Sequence, residues 1–174
     1  MTEKLSMSRV DTMADREFIN LLGGIYEHSP WVAEAVVNSR PFGDRDVLQQ
    51  AMKSVVESAS DEQKLNLLKA HPEFAGKAAT EGQLSESSSA EQSRLSLHNL
   101  PSEQHRQMQH YNKCFVEKFG FPGIVAVRLN RSIEEIFTQF DRRLQNDPGT
   151  EVEQALEQVH AIVEFRLHDL VAKT

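Results

Sequence analysis

Apolar residues recur at helical spacing along almost the whole chain. The clearest stripe follows Asp44, where Val47, Leu48, Ala51, Met52, Val55 and Val56 fall at i, i+1, i+4, i+5, i+8 and i+9. That spacing lays one apolar face along a helix. Earlier, residues 12–22 carry Phe18, Leu21 and Leu22 on one side and stop at Gly23-Gly24, a helix-ending pair. Ser29-Pro30 reads as a cap followed by proline at the first helical position, opening a short helix with Trp31, Val32, Ala35 and Val36. Ser60-Asp61-Glu62-Gln63 spells a capping box, and the helix it opens must end before Pro72 because a residue preceding proline avoids the helical region. Further helices are predicted over 91–98 and 102–119, the second with Met108, Tyr111, Phe115 and Phe119 on one stripe and Gly120 as its stop. A helix over 132–146 is capped by Ser132 and Glu135, Asn146-Asp147-Pro148-Gly149 turns the chain, and a last helix runs over 150–172.

Two segments break the pattern. Residues 73–89 are rich in Gly, Ala and Ser and read as a long loop. Phe121-Pro122-Gly123-Ile124-Val125-Ala126-Val127 is apolar without helical period, and Pro and Gly interrupt it, so it reads as buried extended chain. With about two-thirds of the residues in predicted helices, against roughly one-third in ordinary domains, the class is all-α. The expected organisation is a mobile N-terminal arm over 1–11 and one helical domain of about eight helices over 12–174.

Composition narrows the partners. The 174 residues are 39% hydrophobic and 26% charged, which is the balance of a globular protein able to build its own core. Net charge is −7, and no Lys/Arg-rich run occurs, so nucleic acid and anionic membranes are disfavoured as partners. The single cysteine, Cys114, excludes an intrachain disulfide framework and zinc sites built on several thiolates. The absence of a long apolar stretch and of a leader pattern points to a cytoplasmic protein.

Three positions violate local rules. Arg166 sits inside the apolar stripe of the last helix, formed by Val152, Ala155, Leu156, Val159, Ile162, Val163, Leu167 and Leu170. A guanidinium there needs a carboxylate partner, a route to water, or a polar ligand to anchor. His71 lies at a helix end and is stiffened by Pro72, so it serves either as a cap or as a positioned acid–base group. Ser88 with Glu91 spells a capping box, and the same geometry gathers polar groups at one helix end. No metalloprotease, dinucleotide, phosphate-loop or nucleophile-elbow motif occurs. The remaining histidines lack ligand spacing, and Cys114 has no cationic cluster, which reads as an inert thiol.

Taken together these breaks form a recognisable set. Ala70-His71-Pro72-Glu73-Phe74-Ala75-Gly76-Lys77, Ser88-x-x-Glu91-Gln92, Lys118-Phe119-Gly120-Phe121-Pro122 and Glu164-Phe165-Arg166-Leu167-x-Asp169-Leu170 occur in that order. The set resembles the 2-oxo-4-hydroxy-4-carboxy-5-ureidoimidazoline (OHCU) decarboxylases of urate degradation, over about residues 12–172. The resemblance implies an all-α, cofactor-free enzyme, commonly a homodimer, that releases CO₂ to give (S)-allantoin. It implies His71 and Glu91 as the catalytic pair. It further implies Pro72, Ser88, Gln92, Ile124 and Arg166 around the substrate, with no metal. One position departs: the residue after Pro122 is often bulky in the family and is Gly123 here. Two other readings fit the residues alone. One is a helical interaction module in which these groups only cap and pair. The other is a cofactor-free hydrolase or isomerase of another small ureide.

Overall fold

The computed structural model describes residues 4–76, 84 and 86–174. Among them are nine α-helices: α1 (Met7–Thr12), α2 (Asp15–Leu22), α3 (Trp31–Val36), α4 (Arg45–Glu57), α5 (Asp61–Lys69), α6 (Glu86–Ser93), α7 (Ser102–Phe119), α8 (Ile133–Arg143) and α9 (Pro148–Leu170). Short 3₁₀ turns occupy Val37–Ser39, Leu97–Asn99 and Val127–Leu129. No strand forms among the described residues beyond a single bridge between Leu5 and Val171. The all-α class therefore holds, and no described helix is long and apolar enough to cross a membrane.

Most helix ends follow from side-chain chemistry. Asp44 caps α4 by accepting from the Asp46 amide, and Ser60 and Gln63 close the full capping box of α5. Ser132 accepts from the Glu135 amide at the start of α8. Gly120 ends α7 at φ +81°, a left-handed conformation that glycine adopts without a Cβ penalty. At the start of α9, Asp147 accepts from the Thr150 amide at 3.0 Å, with Pro148 as the first helical residue.

The described residues form two compact units. The first contains the chain up to Ala70 together with His160–Thr174. Its buried residues include Phe18, Leu22, Tyr26, Val32, Leu48, Met52, Val163 and Leu167, and α3 packs on α4. The second runs over His71–Val159 and has an aromatic core. There Phe115 meets Phe140 edge-on at 4.9 Å between ring centroids, and Tyr111 lies 5.3 Å from Phe137. The span 121–127 is buried and extended up to its closing 3₁₀ turn, as its composition predicts.

Three expectations need correction. Residues 4–11 are not a mobile arm. Leu5 exchanges backbone hydrogen bonds with Leu170 and Ala172, Ser6 caps α1, and Met7 and Val10 are buried. Two apolar residues three apart in a six-residue helix are too few to show a period. Residues 1–3 lie outside the described residues. Ser29 does not cap α3 with its side chain; its hydroxyl donates to the Glu27 carbonyl instead. The helix expected over 91–98 lies earlier, at Glu86–Ser93, because its serine-rich start has weak helix preference and no apolar stripe to reveal it. Ser88 is accordingly inside α6 rather than at its cap. Of the predicted loop, 77–83 and 85 lie outside the described residues, as does the motif position Lys77.

Candidate active site

His71 follows Ala70, the residue that caps the C-terminus of α5, and is 8% exposed. Pro72 fixes the backbone direction immediately after it. The next residues, Glu73 to Gly76, have irregular backbone, and Ala75 takes φ +48°, a left-handed conformation unusual for alanine. Three amide side chains hold this stretch. The Ala75 amide donates to Gln92 Oε1 at 3.2 Å, and Gln92 Nε2 donates to the Glu73 carbonyl at 3.4 Å. Asn112 Nδ2 donates to the Phe74 carbonyl at 2.9 Å, and Gln109 Nε2 to the Ala75 carbonyl at 2.7 Å.

Helix α6 supplies the next candidates. Ser88, Glu91 and Gln92 stand at i, i+3 and i+4 and share one helical face. Ser88 is 3% and Gln92 2% exposed, while Glu91 is half-buried. The Gln92 bonds therefore bring this face against the chain that leaves His71. α6 also packs on the 3₁₀ turn Val127–Leu129, which closes the extended segment carrying Ile124. His71, Pro72, Ser88, Glu91, Gln92 and Ile124 thus all lie in the second unit.

The extended segment is fixed by residues that the sequence reading missed. Arg143 Nη1 donates to the Ile124 carbonyl at 2.6 Å. Its Nε bonds Glu151 Oε1 at 3.0 Å and Nη2 bonds the same oxygen at 2.5 Å, with Arg143 2% and Glu151 0% exposed. Asn146 donates to the second Glu151 oxygen at 3.0 Å, so the buried carboxylate is well solvated by the protein. The signal was present in the sequence: Arg143 falls three residues after Phe140 and seven after Ile136, inside an apolar stripe, as Arg166 does. Gly123 also finds its reason here. A Cβ at this position would lie 2.9 Å from two atoms of the Phe140 ring and 3.2 Å from Phe115. The missing side chain lets two core rings pack directly on the backbone.

Arg166 belongs to the first unit and has a carboxylate partner. Its Nη1 lies 2.8 Å from Glu27 Oε2 and 3.2 Å from the Ile25 carbonyl, with side-chain exposures of 5% and 2% for the pair. Of the alternatives that the sequence left open, the ion pair is present. Beside it, the Tyr26 hydroxyl meets His160 Nδ1 at 2.8 Å. Burial, helped by the charge on Lys53, holds His160 down to about 4, and burial, helped by Glu57, raises Tyr26 above the ordinary phenol range. His160 is therefore neutral near pH 7, and its Nδ1 shares one hydrogen bond with the Tyr26 hydroxyl.

A family model described as OHCU decarboxylase matches residues 11–168. The chain belongs to this family. It is 39% identical over 164 residues to the 2-oxo-4-hydroxy-4-carboxy-5-ureidoimidazoline decarboxylase of Haloferax volcanii, covering 94% of this chain and 95% of the relative. The OHCU decarboxylase of Mus musculus is 32% identical, covering 96% of this chain and 93% of that one. A crystal structure of (S)-allantoin synthase superposes with a TM-score of 0.75 at 31% identity, over 95% of this chain and 54% of that longer one. A second, of OHCU decarboxylase in the presence of (S)-allantoin, has a TM-score of 0.69 over 90% of this chain and 97% of that one; at 18% identity it supports the shared OHCU decarboxylase fold alone.

Proposed function

We propose that this chain decarboxylates OHCU to (S)-allantoin, with His71 and Glu91 as its acid–base pair. The observation that carries the reading is the pair of Gln92 hydrogen bonds, which set the Glu91-bearing face of α6 against the segment that begins with His71. Residues 53 positions or fewer apart in the family's motif order, from His71 to Ile124, are gathered in one unit.

The chemistry asks little of a cofactor. Loss of CO₂ leaves an electron pair on the ring carbon that carried the carboxylate, and many enzymes supply a pyridoxal or thiamine sink for it. In OHCU the adjacent ring C=N is that sink. As the C–CO₂ bond breaks, its electrons form a C=C bond to the neighbouring carbon, and the C=N pair moves onto nitrogen, which is protonated. The resulting enol then loses its hydroxyl proton and gains one on the ureido-bearing carbon, giving allantoin. The substrate carboxylate and one proton thus become CO₂ and a C–H bond. His71 moves the proton, and Glu91 orients His71 and polarises the hydroxyl. Delivery to one face of the planar intermediate sets the (S) configuration.

Pro72, Ser88, Gln92 and the backbone at Ile124 line the substrate in this proposal. Arg166, paired with Glu27, is the anchor that the family resemblance implies. The working form is a homodimer in the cytoplasm. The deciding experiment supplies OHCU from urate with uricase and hydroxyisourate hydrolase and follows circular dichroism of the product. Adding this protein should convert a racemising signal into that of (S)-allantoin, with CO₂ released faster than spontaneously. An unchanged signal rejects the activity.

A further inference from the structure

Helix α7 contributes two side chains that the catalytic reading does not use, Gln109 and Asn112. They stand three apart on one face and bond consecutive carbonyls, those of Ala75 and Phe74. With Gln92 they fix four backbone groups within three residues: the Glu73, Phe74 and Ala75 carbonyls and the Ala75 amide. Pro72 removes most of the torsional freedom between this stretch and His71. Alanine at φ +48° is conformationally unfavourable and persists only where its surroundings over-determine it.

The burial of Asn112 is informative in its own right. It is 2% exposed, and its Oδ1 has no hydrogen-bond partner among the described residues. An amide kept in an aromatic core, flanked by Tyr111 and Phe115, costs more than an apolar side chain of the same volume unless its one bond matters. That bond goes to the carbonyl three residues after His71.

We propose that Gln109 and Asn112 are positioning residues for His71: they hold the 73–75 backbone so that the imidazole stands in register with Glu91 on α6. This rests on the acid–base reading of His71 given above. Misplacing a reacting group by about 1 Å costs on the order of a hundredfold in rate, so the effect belongs in kcat rather than in binding.

The test compares two substitutions at the half-buried Gln109. Gln109→Glu removes the donor and sets a carboxylate against the Ala75 carbonyl, whereas Gln109→Lys keeps a donor. Expected for Gln109→Glu is a kcat lower by roughly ten- to a hundredfold with KM within about threefold, and near-normal kcat for Gln109→Lys. The His71 ring resonance, assigned in labelled protein by its loss in His71→Asn, should move in Gln109→Glu and stay in Gln109→Lys. Asn112→Leu, which fills the same space without a donor, should repeat the first pattern and replaces Gln109→Glu if that variant does not fold. A kcat within twofold of wild type together with an unmoved His71 resonance overturns the proposal, even if the melting point falls. If wild type itself fails to decarboxylate OHCU, the acid–base reading fails instead, and the resonance still decides whether α7 positions His71.

Discussion

At His71 and Glu91 the expected effects separate chemistry from folding. His71→Asn should lower kcat by about 10²–10⁴-fold, the range for removing a general acid or base, with helix content unchanged because His71 lies beyond the Ala70 cap of α5. Glu91→Gln keeps shape and removes charge, so kcat should fall more than KM rises. Steady-state kinetics on purified variants check both, and wild-type turnover by Glu91→Gln would reduce Glu91 to a helix residue. Arg166 carries a different expectation because Glu27 is buried beside it. Arg166→Met strands that carboxylate and should cost about 3–5 kcal/mol of folding stability. The double variant Arg166→Met/Glu27→Leu should recover most of the loss while remaining inactive. Melts of both with and without allantoin separate pairing from anchoring, since stabilisation by allantoin should vanish in each if Arg166 holds the ligand.

Elements were legible in the sequence where a long period or a capping box marked them. α4 carries the predicted stripe after Asp44, α5 starts at its predicted capping box, and α7 spans the predicted residues to Gly120. α6 was displaced because its three consecutive serines, Ser87 to Ser89, offer neither strong helix preference nor an apolar face, while Ser88 and Gln92 are buried by the fold. The site showed the same division. His71 and Arg166 were visible as broken rules, and Arg143 broke the same rule unnoticed. Gln109 could not be picked out, since a polar residue on an amphipathic helix looks solvent-facing until its neighbours are known, whereas Asn112, four residues after Met108 and three before Phe115, broke the rule inside the α7 stripe. Gly123 belongs to this scale as well. Gly123→Ala forces a Cβ against the buried Phe140 ring and should cost about 1–3 kcal/mol, read as a drop in melting temperature, while Gly24→Ala, with nothing within 4 Å, serves as the tolerant control.

The molecule as a whole should feel acid through His160. Its folded form takes up a proton only near pH 4, whereas the unfolded chain does so near 6.5, so the unfolded state binds more protons between these values. This site's contribution is full above pH 6.5 and declines as the pH falls towards 4. His160→Asn keeps a hydrogen-bonding group for the Tyr26 hydroxyl but does not titrate. Denaturant unfolding of the two proteins across pH 4–7 should give a shallower loss for His160→Asn, and parallel curves would remove His160 from the account of acid sensitivity.

The pairing of Leu5 with the backbone of Leu170 and Ala172 makes the described chain, which leaves the first unit after Ala70 and returns to it at His160, a nearly closed circuit. Bridging the two ends with a short flexible linker would close that circuit covalently, and the order in which the helices are synthesised then becomes a matter of choice. A permuted gene opened at an exposed site such as Gly24, where an added Cβ would meet nothing within 4 Å, should still yield the same packed helices.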